Sequence, residues 1–227
     1  MLALTRTAVI GGRAGVRTIL VTGFEPFGRD RINPSAEIAR ALEVEFARTE
    51  REGVRIAARV LPVSRKRLFE ELDRALDALR PEALVGLGLA DGRSVISVET
   101  RARNFEEYSI PDNDGAQPAG EVIVADGPEA LPSTLPTGAL VDAIRSEGVP
   151  ASESADAGAY LCNRLYYGAL LRARAARSDA GFRAVFLHLP SLPECVAEAG
   201  EVRASMPLAT SRRAVDVVLD YLARSPG

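Results

Sequence analysis

The sequence predicts an α/β fold, a three-layer α/β/α sandwich around a mostly parallel mixed sheet. Two observations carry this prediction. Short apolar runs rich in β-branched residues end at glycine or proline, as buried strands do, and segments with the helical spacing of apolar residues alternate with them. Hydrophobic residues make up 47% and charged residues 26% of the 227 residues, which is typical of a globular protein that buries a core without disulfide bonds.

The first half of the chain alternates strand and helix. Residues 18–22 form a β-branched apolar run that stops at Gly23 and predicts a buried strand. After a loop at 23–32, Asn33 and Pro34 supply an N-cap and a proline at the first helical position, which predicts a helix over 36–47. The elements predicted next are a strand over Val54–Leu61, an amphipathic helix over 64–80 and a buried strand over Ala83–Leu89.

The second half is less regular. Residues 95–105 alternate with no helix before them, which predicts antiparallel or edge strands. The stretch 109–136 is rich in Pro, Gly, Asp and Asn, and it predicts a long ordered loop, of a kind that is often functional, with a short strand near 122–124. The elements predicted after it are helices over 138–147 and 157–176, a buried strand over Arg183–Leu189 and a helix over 208–223.

Composition and segment lengths exclude several classes of protein. We interpret residues 1–16 as an N-terminal tail and 17–227 as a single catalytic domain, since no linker or repeat interrupts the pattern. No apolar run approaches 18 residues, so no membrane span is expected, and a net charge of −3 argues against a nucleic-acid partner. Two cysteines and one histidine exclude a disulfide scaffold and a typical zinc site, and free cysteines favour a cytoplasmic location.

A glycine-rich turn follows the strand Ala83–Leu89, where residues 86–92 are Gly-Leu-Gly-Leu-Ala-Asp-Gly. A dinucleotide fingerprint needs its third glycine where Asp91 stands, with a helix directly after it. Asp91 instead puts a carboxylate where a pyrophosphate would bind, and an extended segment follows. The turn therefore indicates a close approach of the backbone to a small ligand, and no cofactor is expected.

The only histidine and one of the two cysteines are candidates for nucleophilic catalysis. His188 ends an apolar strand, at the edge where sites of open α/β sheets gather, although a lone histidine is often only a core residue. Cys162 lies early in the helix predicted over 157–176, where the helix dipole and free N–H groups lower the pKa of a thiol and can bind an oxyanion. Cys195, in a proline-rich loop, has no such element.

Two questions stay open at this point. A free cysteine is often only a small buried apolar residue, so Cys162 need not be a nucleophile. A Cys–His pair also needs a third group that orients the imidazole. Glu99, Glu106 and Glu107 are all available, and their spacing does not choose among them.

Ten short blocks, in order from about residue 17 to the C-terminal part, resemble the pyroglutamyl peptidase I family, the pyrrolidone-carboxylate peptidases. The blocks are residues 21–28 (Val-Thr-Gly-Phe-Glu-Pro-Phe-Gly), 33–35 (Asn-Pro-Ser), 88–93, 96–99, 110–113 (Ile-Pro-Asp-Asn), Gly115 with 117–118 (Gln-Pro), 157–158 (Ala-Gly), 162–163 (Cys-Asn), 188–190 (His-Leu-Pro) and 192–194 (Leu-Pro-Glu). The resemblance implies a phosphorylase/hydrolase-like fold and a cysteine exopeptidase, without metal or cofactor, that acts as a homodimer or homotetramer on peptides with a blocked N-terminus.

The resemblance also implies roles for single residues. It implies a triad in which the Cys162 thiolate attacks the carbonyl after an N-terminal pyroglutamyl ring, His188 transfers protons and Glu99 orients the imidazole. A thioester forms and water then hydrolyses it. The residues implied to bind the lactam ring are Phe24, Phe27, Leu89, Ile110, Tyr160 and Leu161.

Several positions depart from the pattern of the family. Leu89 and Asp91 replace its usual glutamine and glycine, and Thr100 and Ser109 stand where arginines usually line the cavity. Arg164 replaces the usual histidine after the Cys-Asn pair. These changes leave the implied triad intact but remove positive charge near the pocket, so they bear on substrate choice or on rate.

Three hypotheses therefore stand. An active pyroglutamyl peptidase would release a chromophore from a pyroglutamyl arylamide and lose that activity in Cys162→Ala. A related cysteine amidase for another small acyl or cyclic group would cleave other acylated amides instead. A binding homologue with weak or no catalysis would cleave neither, and its Cys162 would react with iodoacetamide no faster than an ordinary thiol of pKa about 8.5.

Overall fold

The computed structural model describes residues 16–47, 49–51, 53–175 and 181–225. The interpretation of 1–16 as a tail thus lies outside the described residues except for Val16, as does the predicted end of a helix at 176. Within the described residues the elements in chain order are β1 (Arg17–Phe24), α1 (Pro34–Glu45), β2 (Val54–Leu61), α2 (Leu68–Leu79), β3 (Ala83–Leu89), β4 (Ile96–Glu99), β5 (Arg101–Arg103), β6 (Glu106–Glu107), β7 (Ala119–Glu121), β8 (Ala130–Pro132), α3 (Thr137–Ser146), β9 (Ala151–Ser154), α4 (Leu161–Ala175), β10 (Arg183–Leu189), α5 (Pro193–Ala199) and α6 (Leu208–Arg224).

Six strands form the central sheet in the order β2-β1-β3-β10-β4-β9. All neighbours pair in parallel except β10 and β4, which are antiparallel. The strands β5 with β8 and β6 with β7 form two small antiparallel ribbons beside the sheet. The predicted α/β class with a mostly parallel mixed sheet is confirmed.

Helices cover both faces of the sheet, and each face has its own hydrophobic cluster. One cluster joins the sheet to α1, α3 and α6, and the other joins it to α2 and α4. Along β10, Val185 and Leu187 belong to the first cluster whereas Phe186 belongs to the second, as the alternation of a strand requires. The strand thus presents His188, two residues after Phe186, to the α4 side of the sheet.

The regular elements follow the sequence closely. The strands β2, β3 and β10 have the predicted bounds, and Asn33 caps α1 by accepting a hydrogen bond from the N–H of Ser35 at 3.1 Å. Two helices begin four residues later than predicted. Before α2, residues 65–67 form a turn in which the Ser64 hydroxyl accepts a hydrogen bond from the N–H of Arg67. Before α4, Gly158 has a φ of 78°, a left-handed conformation that an α-helix does not contain, so the helix begins after it.

The other differences between the predicted and the observed elements lie in the less regular second half of the chain. The short strand lies at 119–121 and not at 122–124, because Glu106–Glu107 pair there. The strand β9 was not predicted. Of the two alternatives predicted for residues 95–105, the antiparallel one is confirmed, because β4 pairs antiparallel with β10 and lies inside the sheet, not at its edge. Cys195 lies in the short helix α5 and not in a loop, since Pro193 begins a helix there. In the ranges that the structure describes, no helix is long and apolar enough to span a membrane.

Candidate active site

A cavity of about 320 Å³ opens where β3 and β10 end, at the carboxyl edge of the sheet. Its walls come from the loop after β1, the turn after β3, the loop after β6 and the start of α4. The lining residues are Phe27, Leu89, Ala90, Asp91, Arg93, Ser109, Ile110, Ala157, Gly158, Tyr160, Cys162 and His188. This is the edge at which ligands bind to open α/β sheets.

The cavity gathers most of the residues singled out in the sequence. Those that line it are Phe27, Leu89, Ile110, Tyr160, Cys162 and His188. Phe24 and Leu161 do not line it, because they are 2% and 1% exposed and pack in the cluster beneath α2 and α4. Glu99 is fully buried behind the histidine. The structure therefore separates a lining set from two supporting side chains.

The strand β4 brings Glu99 to the imidazole. Ser97 pairs with His188 across the antiparallel strands, and Glu99 emerges two residues later on the same face. Oε1 of Glu99 lies 2.7 Å from Nδ1 of His188, and both side chains are buried. Because Nδ1 faces the carboxylate, Nε2 is the nitrogen left for proton transfer.

The other two acidic candidates are engaged elsewhere. Both oxygens of the buried Glu106 accept hydrogen bonds from Nη1 of Arg164, at 2.9 and 2.8 Å. Nε of Arg65 donates to Glu106 as well, at 2.7 Å. Glu107 is exposed. The alternatives that spacing left open are thereby reduced to Glu99.

Arg93 is a site residue that the sequence reasoning did not single out. Its Nη1 lies 2.7 Å from Oε1 of Glu99, the oxygen that also faces His188, and its Nη2 donates to the carbonyl of Asp156 at 2.8 Å. Burial favours a neutral carboxyl, but the hydrogen bond and charge of His188, with the contact to Arg93, hold the pKa of Glu99 below its usual value. Only its place in the block 88–93 could have drawn attention to it.

Cys162 is the second residue of α4, and Gly88 makes room for its sulfur. A Cβ atom on Gly88 would lie 2.6 Å from Sγ of Cys162, so a side chain on β3 at this point would displace the thiol. Because α4 begins at Leu161, Cys162 lies in the first turn, where backbone N–H groups have no partner within the helix. These N–H groups are the candidate donors to an oxyanion.

Burial shifts the pKa of both the thiol and the imidazole in the direction that favours their neutral forms. Burial, together with the charge of Glu99, raises the pKa of Cys162 to about 12, although the charge of Arg93 opposes the shift. Burial also lowers the pKa of His188, although the hydrogen bond and charge of Glu99 work against it. The first turn of α4 therefore does not produce the lowered thiol pKa that the sequence suggested, and the thiol must lose its proton as it attacks.

Aromatic side chains form one wall of the cavity. The rings of Phe27 and Tyr160 lie 5.5 Å apart, and Tyr108 packs edge-on against Tyr160 at 4.5 Å. The hydroxyl of Tyr160 donates to the carbonyl of Pro111 at 3.2 Å. The loop after β1, the loop after β6 and the start of α4 are thus joined at this wall.

The two positions at which the family usually has arginine differ in the structure. Ser109 lines the cavity, but Thr100 does not, because its backbone pairs with the carbonyl of Ser154 and the N–H of Ser133. The cavity keeps a guanidinium group nonetheless, that of Arg93. The lost charge at Ser109 is therefore a change in the lining itself, whereas the Thr100 side chain lies outside it.

Asp91 stands at the cavity beside the end of β10. The hydroxyl of Ser191 donates to Asp91 at 2.8 Å, and Arg203 forms an ion pair with the same carboxylate. Partial burial raises the pKa of Asp91, but the hydrogen bond and the ion pair outweigh it, so the pKa lies below its usual value. The carboxylate is therefore charged at neutral pH.

Cys195 lies outside this site. It borders a separate cavity of about 210 Å³, together with residues that include Arg29 and Glu198. Burial raises the pKa of its thiol. Among the residues whose placement is described, no group of three or more His, Cys, Asp or Glu side chains could hold a metal ion.

Comparison with known proteins supplies the family. The model of the pyroglutamyl peptidase family matches residues 17–225. A pyrrolidone-carboxylate peptidase of Chromobacterium violaceum is 45% identical over 179 residues, 79% of this chain and 80% of its own, and that of Escherichia fergusonii is 40% identical over 204 residues, 90% of this chain and 92% of its own. The solved structure of the pyrrolidone carboxyl peptidase from Thermococcus litoralis matches with a TM-score of 0.82 at 39% identity, covering 92% of this chain and 96% of that one. The chain belongs to the pyroglutamyl peptidase family.

Proposed function

We propose that this chain is a cysteine exopeptidase that removes an N-terminal pyroglutamyl (5-oxoprolyl) residue from peptides through a thioester. The observation that carries the proposal is the buried 2.7 Å contact between Glu99 and His188, together with the cavity that His188 and Cys162 both line. Membership of the family and relatives named pyrrolidone-carboxylate peptidase support the same activity.

The acylation step begins from a neutral pair. Nε2 of His188 takes the thiol proton as Sγ of Cys162 attacks the carbonyl carbon that joins the lactam ring to the next residue. The negative oxygen of the tetrahedral intermediate is stabilised by N–H groups in the first turn of α4. His188, now an imidazolium beside the Glu99 carboxylate, returns the proton to the leaving amine, the carbon–nitrogen bond breaks and the shortened peptide departs.

Hydrolysis of the thioester uses the same groups. His188 takes a proton from a water molecule, the oxygen of that water attacks the thioester carbonyl, and the carbon–sulfur bond breaks. The released thiolate regains the proton from His188, which leaves free pyroglutamic acid and the original neutral pair. Glu99 keeps its charge throughout and stabilises the imidazolium at both steps.

The lining of the cavity fits a small lactam. Phe27, Tyr160 and Ile110 offer apolar surface to a compact ring. Leu89 lines the cavity at the turn after β3, and a backbone contact from this position to the lactam would not depend on the side chain that replaces the usual glutamine. A free N-terminal amine has no lining carboxylate other than Asp91 to pair with, so a blocked N-terminus is the better fit.

The test is turnover of pyroglutamyl-arylamide by reduced protein, with Cys162→Ala and Cys195→Ala as a matched pair. We expect turnover in the wild type and in Cys195→Ala, and a loss of about 10⁴-fold or more in Cys162→Ala. Cleavage of other acylated amides but not of this one would instead identify the alternative amidase. No cleavage of either, by a sample with an intact fold, would identify a binding homologue.

The rate of alkylation at neutral pH does not separate these outcomes. Because burial raises the pKa of Cys162 to about 12, slow reaction with iodoacetamide at pH 7 is expected of an active enzyme as well. The cytoplasmic location and the assembly into a homodimer or homotetramer stay predictions from the sequence. Size-exclusion chromatography with light scattering measures the second directly.

A further inference from the structure

We infer that Asp91 makes this site favour substrates with a basic residue directly after the pyroglutamyl group and disfavour those with an acidic one. The inference rests on the proposed function and adds a preference to it. Asp91 stands where the family usually has glycine, so the carboxylate is a feature of this chain's own cavity.

The direction of proton transfer fixes where the second residue of the substrate lies. His188 must reach the leaving amine to protonate it, and that amine belongs to the residue after the lactam. This residue therefore lies beside His188. Ser191, three residues beyond His188, donates to the carboxylate of Asp91 at 2.8 Å, so Asp91 borders the same end of β10.

The backbone fixes Asp91 at this position. The N–H of Ala90 donates to the carbonyl of Leu189 at 2.9 Å, directly after the last paired residues of β3 and β10. The side chain of the next residue, Asp91, is 49% exposed and lines the cavity. A substrate side chain that passes the end of β10 meets this carboxylate.

The charges around Asp91 do not cancel its own. Arg203 pairs with Asp91, but it also faces Glu201 at 3.3 Å and Asp30 at 3.8 Å, and Arg29 pairs with Glu201. Three carboxylates thus face two guanidinium groups, which leaves one negative charge. Arg203 is only 10% exposed, whereas Asp91 is 49% exposed and is the member of the cluster that lines the cavity, so a substrate meets the carboxylate of Asp91.

The other charged groups at the cavity form a neutral set. The guanidinium of Arg93 is the second charged group of the lining, and the carboxylate of Glu99 holds it at 2.7 Å. Burial lowers the pKa of His188 and so favours its neutral imidazole. The uncompensated charge that a substrate side chain meets is therefore that of the Asp91 cluster.

The experiment compares three tripeptide amides that differ only after the pyroglutamyl group, with lysine, glutamine or glutamate. One exposed charge pair changes an equilibrium by at most about fivefold, so attraction of lysine and repulsion of glutamate together predict a kcat/KM ratio of about ten at low salt. The ratio should shrink between about 0.01 M and 1 M salt, as the Debye length falls from roughly 30 Å to 3 Å.

Three variants assign the ratio to Asp91. In Asp91→Asn we expect the lysine-to-glutamate ratio to fall to about two or less. In Ser191→Ala, which keeps the charge, and in Asp142→Asn, which removes an equal charge from the exposed surface of α3, it should stay near ten. A wild-type ratio within about twofold, or an undiminished ratio in Asp91→Asn, overturns the inference. If the glutamine peptide is not cleaved at all, it is the proposed function that fails.

Discussion

The face of the sheet that α1, α3 and α6 cover buries aliphatic side chains and Met206, whereas the face that α2 and α4 cover buries aromatic rings such as Tyr166 and Phe186. The single histidine and the buried Glu99 also stand on the α4 side. Aliphatic side chains pack by volume and tolerate exchange, but rings and charged groups require particular shapes and partners. One side of the sheet therefore serves stability, and the other serves stability and chemistry together.

The strands β3 and β10 show how the chemical side is made. Where β10 carries Phe186, its neighbour β3 carries Gly86, and a Cβ there would lie 2.5 Å from the phenylalanine ring. Where β10 carries His188, β3 carries Gly88, against which the sulfur of Cys162 lies. Because Gly86 and Gly88 have no side chains, β3 leaves room for the ring of Phe186 and the thiol of Cys162.

The largest loss of activity on the α4 side of the sheet is expected when the buried Glu99 loses its charge. In Glu99→Gln we expect kcat/KM to fall about 10³- to 10⁴-fold, because the amide no longer stabilises the imidazolium or fixes its tautomer. The measurement is steady-state hydrolysis of a pyroglutamyl arylamide. Glu107→Gln, which removes the same charge from an exposed residue of β6, is the control and should keep its rate. A fall of less than about tenfold in Glu99→Gln would contradict the triad.

Two adjacent residues of β10 test the two sides against each other. Val185→Ala should lower the free energy of unfolding by about 2 kcal/mol and leave kcat unchanged, because its side chain lies in the cluster on the side of α1, α3 and α6, away from the cavity. Phe186→Leu should cost a similar amount and also reduce kcat/KM about tenfold. The ring of Phe186 packs edge-on against the imidazole of His188, with centroids 4.9 Å apart.

Chemical denaturation and arylamide kinetics on the same samples separate the two effects. If both variants are fully folded and Val185→Ala loses as much activity as Phe186→Leu, the conclusion that only the α4 side of the sheet supports catalysis is wrong. If neither loses activity, the packing of Phe186 does not hold the histidine in place.

The periodic parts of the fold could be predicted because their burial follows one rule. The strand β10 keeps its predicted bounds because an unbroken apolar run needs only two covered faces. The strand β9 escaped prediction because Ala151–Ser154 carries polar residues at the sheet edge, and only its pairing with Ile96–Glu99 makes it a strand. Such pairing across distant parts of the chain leaves no periodic trace in the sequence.

The site divides in the same way. Cys162 and His188 could be proposed from chemistry and from their places at the ends of elements, and the resemblance supplied Glu99. Arg93 could not be found, because its function depends on a contact across the turn between β3 and β4. Nor could the raised pKa of the thiol be predicted, since the helix position of Cys162 favours a lower pKa whereas burial and the charge of Glu99 raise it.

The smallest expected effect tests whether Arg93 acts on His188 through its positive charge or only by holding Glu99 in position. Arg93 favours neutral imidazole, because its positive charge disfavours a second one nearby, and burial already lowers the pKa of His188 below 6.5. Since neutral His188 is the active form, the acid limb of kcat/KM should lie below pH 6.5 in the wild type. Without the guanidinium the pKa rises, and the limb should move to higher pH.

The variants Arg93→Gln and Arg93→Lys distinguish the two modes of action. We expect Arg93→Gln to lose about tenfold in kcat/KM at pH 8 and more at pH 6, whereas Arg93→Lys keeps the charge and should keep the acid limb at its wild-type position. Arg103→Gln, which removes a partner of the same Asp156, is the matched control and should change neither. If Arg93→Gln loses the same factor in kcat/KM at every pH, Arg93 only holds Glu99 in place, and its charge does not act on His188.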